Sequence, residues 1–154
     1  MSDAKSILMQ LLDAIPDGAR TAQLFAEDGV LELPFLRSIG LEPRYQGRQS
    51  IHDFYEFVQN IYAEFQFKPE DTTVLIDTPD KVLAEYMTHS IARATGRRIH
   101  HLFTGYLVTQ NGQIVLLREM LNVVAGAQAL FPGGVHELPA PPDEIFSASP
   151  NYRS

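Results

Sequence analysis

The chain contains no cysteine. Disulfides, thiolate metal sites and cysteine nucleophiles are thereby excluded, and the composition suits a reducing compartment. It also lacks any run of basic residues. With 12 Lys+Arg against 19 Asp+Glu and a formal net charge of -7, nothing tracks a phosphate backbone, so nucleic acid is not an expected partner. Long hydrophobic runs are missing too. The opening MSDAKSILMQLLDAIPDG has one lysine, and Gln10 and Asp13 interrupt its apolar stretch. Neither a signal peptide nor a membrane span is expected there, and the reading is a cytoplasmic protein. No glycine-rich phosphate loop is present, because FPGGVHELP lacks the helix and lysine that must follow one.

What remains is ordinary globular composition. Its 154 residues, 45% hydrophobic and 20% charged, amount to one domain with a sizeable core. Ile7, Leu8, Leu11, Leu12 and Ile15 recur on one face of a first helix that ends at IPDG. ARTAQLFAEDG predicts a second short helix stopped by Gly29, VLELP a short strand, and residues 35 to 47 a loop broken by Gly40, Pro43 and Gly47. From Ser50 to about Ala63, the positions Ile51, Phe54, Tyr55, Val58, Ile61 and Tyr62 predict the longest helix. Four strands follow, in FQFKPEDTTVLID, KVLAEYMTHSIARA, RRIHHLFTGYLVTQ and QIVLLREMLNVV. Helices first and a meander afterwards is an α+β pattern. Residues 1–131 form the domain. Residues 132–154 hold five of the ten prolines and predict an extended tail.

Strand register decides which side chains share a face. A turn at Thr95-Gly96 pairs Ala94 with Arg97, Thr88 with Phe103 and Ser90 with His101. At the next turn, a two-residue Asn111-Gly112 loop pairs Thr104 with Glu119, whereas a three-residue loop pairs Phe103 with Glu119. The three-residue loop is favoured, since it gathers Tyr86, Thr88, Ser90, His101, Phe103, Leu117, Glu119 and Leu121 on one mostly apolar surface, the make-up of a small-molecule pocket. His101 then lies diagonal to Glu119. Met87, His89, Ile91, Leu102, Leu116 and Met120 fall on the opposite face, which is apolar enough to predict a homodimer.

Glu119 is the odd residue of LLREMLN. In a dry pocket its charged form is disfavoured and its pKa rises toward the range useful for proton transfer; facing solvent, or beside Arg118, it is inert. His101 can share a proton with Glu119 or merely satisfy Ser90 or Tyr86. Tyr86 can donate to a substrate oxygen or form an aromatic wall. The aromatics from Phe54 to Phe67 read as core. His100 and His101 point to opposite faces and no carboxylate or thiolate has ligand spacing with either, so no metal is expected.

Together, LFAEDGVLELP, GRQSIHDFY and NGQIVLLREMLN resemble the nuclear-transport-factor-2-like, or ketosteroid-isomerase-like, superfamily over roughly residues 8 to 130. The resemblance implies a curved mixed sheet wrapped around about three helices, a cone with an apolar pocket. LREMLN followed by AQAL is similar to the phenazine biosynthesis A/B proteins, whose acid/base glutamate falls on Glu119; their helper histidine and serine fall on Phe54 and Val58. VLAEYMTHSIARATGRRIHHLFTGYLV is similar to limonene epoxide hydrolase, but Tyr86 and Thr88 replace an arginine and an aspartate of its water-delivering set. In ketosteroid isomerase an aspartate base works against an oxyanion hole that includes a protonated aspartate; those positions fall on Leu33 and near Thr104. SnoaL-like polyketide cyclases share the fold.

The expected function is a cofactor-independent acid/base enzyme of isomerase, cyclase or condensation type acting on a hydrophobic cyclic small molecule. Glu119, His101 and Tyr86 are the expected catalytic residues, and Thr88, Ser90, Phe103, Phe54, Val58 and Leu121 line the substrate. The competing expectations are a non-catalytic binder and a structural homodimer with a filled cavity.

Overall fold

The computed structural model describes residues 2–141; residues 142–154 of the expected tail lie outside the described residues. Helix α1 (Ala4–Ala14) starts where the Asp3 carboxylate accepts from the Ser6 amide at 2.8 Å and buries the predicted stripe of Ile7, Leu8, Leu11 and Leu12. Such a cap is worth about 1 kcal/mol. Helix α2 (Gly18–Gln23) is shorter than the sequence suggests. Strand β1 (Phe25–Glu32) takes over the rest of that segment, because fully buried Phe25 pairs with Ile114 and tertiary pairing overrides helical spacing.

The segment read as a loop carries a 3-10 turn (Pro34–Ile39) and strand β2 (Arg44–Gln46). Proline favours the first turn of such a helix, and Gly40, at φ 82°, ends it in the left-handed region. Helix α3 (Arg48–Ile61) turns Ile51, Phe54, Tyr55 and Val58 inward; each buried apolar side chain of this size contributes roughly 1.5–3 kcal/mol. Then come β3 (Tyr62–Ala63), β4 (Phe67–Asp77), β5 (Lys81–Ala92), β6 (Arg98–Gln110) and β7 (Gln113–Leu121). Helix α4 (Val123–Leu130) follows where a longer strand was expected, since the Asn122 side chain accepts from the Ala125 amide and starts a helix. Gly134–Glu137 winds into a second 3-10 turn.

The seven strands form one mixed sheet in the order β2-β1-β7-β6-β5-β3, with β4 also on β5; β1 and β7 are parallel and the other pairs antiparallel. The sheet curls over α1 and α3, giving the expected α+β cone. Among the described residues no helix is long and apolar enough to cross a membrane.

Both hairpin registers differ from expectation. Ile91 pairs with Arg98, so Thr88 faces His101, Tyr86 faces Phe103 and Ser90 faces Ile99. The turn is wider because its residues hold the end of α4: the Thr95 hydroxyl donates to the Ala129 carbonyl, and the Arg97 guanidinium to those of Gln128, Phe131 and Pro132. This slip of two residues leaves every side chain on its predicted face. At the next hairpin the turn is the two-residue one, with Asn111 and Gly112 at φ 53° and 75°, the combination a tight hairpin requires. Val115 then bulges, so that Thr109 pairs with Ile114 but Val108 with Leu116. Glu119 consequently faces Gly105 rather than Phe103 or Thr104. The bulge returns Glu119 to the inner face, the placement expected from a longer turn.

Candidate functional site

A cavity of about 60 Å³ lies inside the curl of the sheet. β6 and β7 supply its floor through His101, Phe103, Glu119 and Leu121; α3 supplies a wall through Phe54, Tyr55 and Val58; Leu33, the 3-10 turn and α4 close the rest. Six of the nine residues predicted for the site therefore line one cavity. Tyr86, Thr88 and Ser90 do not: all three are fully buried in the sheet surface beneath it. β4 packs Phe67 over Tyr86 with ring centroids 5.2 Å apart, and it is Phe67 that reaches the cavity.

Glu119 is 3% exposed. The Tyr86 hydroxyl donates to its Oε1 at 2.5 Å. Gly105 makes this bond possible. It lies between Ala84 on β5 and Glu119 on β7, and a Cβ there would overlap the Tyr86 hydroxyl. With no side chain at 105, the tyrosine reaches across β6 to the carboxylate two strands away. Burial raises the Glu119 pKa from 4.5 to about 7, with the Tyr86 hydrogen bond pulling the other way. Near neutral pH the carboxyl is thus divided between its two forms. The Arg118 guanidinium lies 3.0 Å from Glu32 Oε2, a buried carboxylate that Arg44 also pairs at 3.2 Å. Successive residues of a strand point to opposite faces.

His101 is not the diagonal neighbour of Glu119. Four residues of β6 separate it from Gly105, about 13 Å along a strand, with Phe103 between them. Its Nε2 lies 3.1 Å from the Asn122 carbonyl at the start of α4, and burial lowers its pKa against the opposing effect of that hydrogen bond. The bond fixes Nε2 as the donor and leaves Nδ1 as an acceptor. Among the described residues, His101 Nδ1, Thr88 Oγ1 and Ser90 Oγ have no hydrogen-bond partner, so the expected contacts of His101 with Ser90 or Tyr86 are not made.

The sequence reading passed over Tyr55. Its place in the helical stripe marks it as core, and it is 3% exposed. Yet it lines the cavity, and among the described residues its hydroxyl has no partner. Burial, and secondarily the charge of Glu119, raises its pKa well above the usual tyrosine value, so it stays a proton donor. A phenol among buried stripe residues was the available signal, because a buried tyrosine hydroxyl usually needs a partner.

A sequence model of the SnoaL-like domain family matches residues 14–117. The chain is 29% identical over 143 residues to an uncharacterized PhzA/B-like protein of Pseudomonas aeruginosa, covering 86% of this chain and 92% of that one. Among solved structures, a candidate isomerase from Bacillus subtilis superposes with a TM-score of 0.72 at 22% identity, covering 82% of this chain and 91% of that one. A protein of ketosteroid-isomerase-like fold from Catenulispora acidiphila, bound to trimethylamine, gives 0.68 at 15% identity over 80% and 90%. A curled mixed sheet over helices, an apolar cavity inside the curl and a sequence model that matches residues 14–117 lead to one conclusion: this chain belongs to the SnoaL-like domain family.

Proposed function

We propose that the chain is an acid/base enzyme acting on a hydrophobic cyclic small molecule, with Glu119 moving a proton in an isomerisation, cyclisation or condensation. The observation that carries this reading is a carboxyl held near neutrality on the wall of an apolar cavity, fixed by a single hydrogen bond from below. A group whose pKa lies near the working pH both takes and returns a proton efficiently. Tyr86 spends its hydroxyl on Oε1, which leaves Oε2 to face the ligand. Tyr55, whose hydroxyl in the same cavity has no partner among the described residues, donates to the oxygen on which negative charge develops. Tyr86 is then a positioning residue, and His101 an acceptor at the other end of the ligand. Phe54, Val58, Phe103 and Leu121 supply apolar contact.

The cavity is small for this task, since an enclosed site of about 150 Å³ is what benzene fills. Phe57, 38% exposed, borders both this cavity and two grooves that also share Leu41, so a turn of its ring would join them to the site. The small volume favours one competing reading, a scaffold whose cavity is filled by its own side chains. The outer sheet face, with Leu102 46% exposed, suits a second copy of the chain.

The test is exchange of solvent deuterium into 2-cyclohexen-1-one and related cyclic ketones, followed by NMR with wild type, Glu119→Gln and Tyr86→Phe. Wild type should accelerate exchange, with kcat/KM rising through pH about 7. Glu119→Gln should lose at least ~100-fold in rate while still binding. Tyr86→Phe should shift the pH profile upward, because the lost bond favoured the charged form. Exchange no faster than buffer across the panel, with ligand-induced shifts intact, would make the chain a binder; no shifts at all would leave the scaffold.

A further inference from the structure

His89 and His100 are direct cross-strand partners on β5 and β6, and both side chains lie on the outer sheet face, away from the cavity. Their Nδ1 atoms are 2.5 Å apart and their ring centroids 4.7 Å. Two ring nitrogens this close repel unless a proton or a cation lies between them. On the far side of His89, Asp71 Oδ2 stands 3.9 Å from Nε2. Asp71 belongs to β4, the other neighbour of β5. At 3.9 Å that carboxylate is beyond hydrogen-bond reach of the ring. In the tautomer with the proton on Nε2, the Nδ1 lone pair of His89 is turned toward His100.

We propose that His89 and His100 bind a divalent transition cation through their Nδ1 atoms. Imidazole nitrogen selects borderline ions such as Zn²⁺, Ni²⁺ or Cu²⁺ over Mg²⁺ or Ca²⁺. Zinc–nitrogen bonds of ~2.0–2.1 Å at a tetrahedral angle need the nitrogens roughly 3.3 Å apart. A small rotation of each ring provides that opening. The His89 side chain is 41% exposed and His100 is exposed, so the rings are free to turn. Among the described residues no third His, Cys, Asp or Glu converges on the pair, so water completes the shell. The bound ion clasps β5 to β6. Because it binds the folded chain through groups that only the sheet brings together, it also raises stability.

The test is calorimetric titration of the full chain with zinc chloride at about pH 7.5, since a ligating imidazole must be neutral. One ion per chain is expected. His100→Gln and His89→Gln should each weaken binding by more than tenfold. Zinc should raise the Tm of wild type but not of His100→Gln, a difference that weak binding at His52 or His136 would not produce. Because a second copy docked on the outer face would cover the pair, Leu102→Glu is titrated beside wild type. Saturable binding in either that is lost with His100→Gln supports the site. Binding unaffected by His100→Gln, or none in either protein below about 1 mM, overturns it.

Discussion

At the scale of single residues, the cost of keeping Glu119 in the core is readable as a pH dependence. Its carboxyl is protonated more readily in the folded chain than in the unfolded one, since burial raises its pKa from 4.5 to about 7. A raised acid favours folding only in its neutral form. The folded state therefore loses stability as pH climbs from about 4.5 to about 7 and loses no more above that. Glu119→Gln keeps an oxygen to accept from Tyr86 and carries no charge. It should be more stable than wild type at about pH 8, by up to about 3 kcal/mol, and the two should converge near pH 4.5. Urea unfolding at several pH values checks this. A constant difference across the range would mean that the carboxyl is solvated.

At the scale of elements, the hairpin of β6 and β7 decides the chemistry. The tight Asn111-Gly112 turn alone would carry Glu119 to the outer face, and the Val115 bulge carries it back. Deleting Val115 removes that correction: either β7 turns Glu119 and Leu117 out of the core, or the turn must be rebuilt. The variant should unfold at a Tm lowered by at least ~10 °C, following several kcal/mol of lost burial, as read by circular dichroism. Val115→Ala, which keeps the extra residue, should fold with the Glu119 titration unchanged. A deletion variant as stable as wild type would show that the bulge is not what fixes the face.

At the scale of the whole molecule, the outer sheet face is the surface left to explain. Leu102, 46% exposed, and its cross-strand neighbour Met87 form an apolar centre with the paired histidines beside it. A second copy of the chain would bury these side chains. Sedimentation at micromolar concentration should find a dimer for wild type and a monomer for Leu102→Glu, since a charge at the centre of such an interface is left unpaired. A monomeric wild type would leave this face without a second copy.

The sequence by itself determined the alternation of β5, the amphipathic stripe of α3 and the placement of one carboxylate among apolar neighbours. These are local periods, and each residue carries its own preference. Tertiary structure decided the phase between strands. The β5–β6 turn widens because Thr95 and Arg97 hold α4, and the β7 bulge restores the inner face; both depend on neighbours distant in sequence. The same holds for β1 beginning at Phe25, for Tyr86 reaching Glu119 over Gly105, and for Tyr55 lining the cavity from within the core. Periodicity gives the face of a side chain within its own element, whereas its partner is set by closing the sheet, where turn geometry, bulges and burial compete and the lowest sum wins.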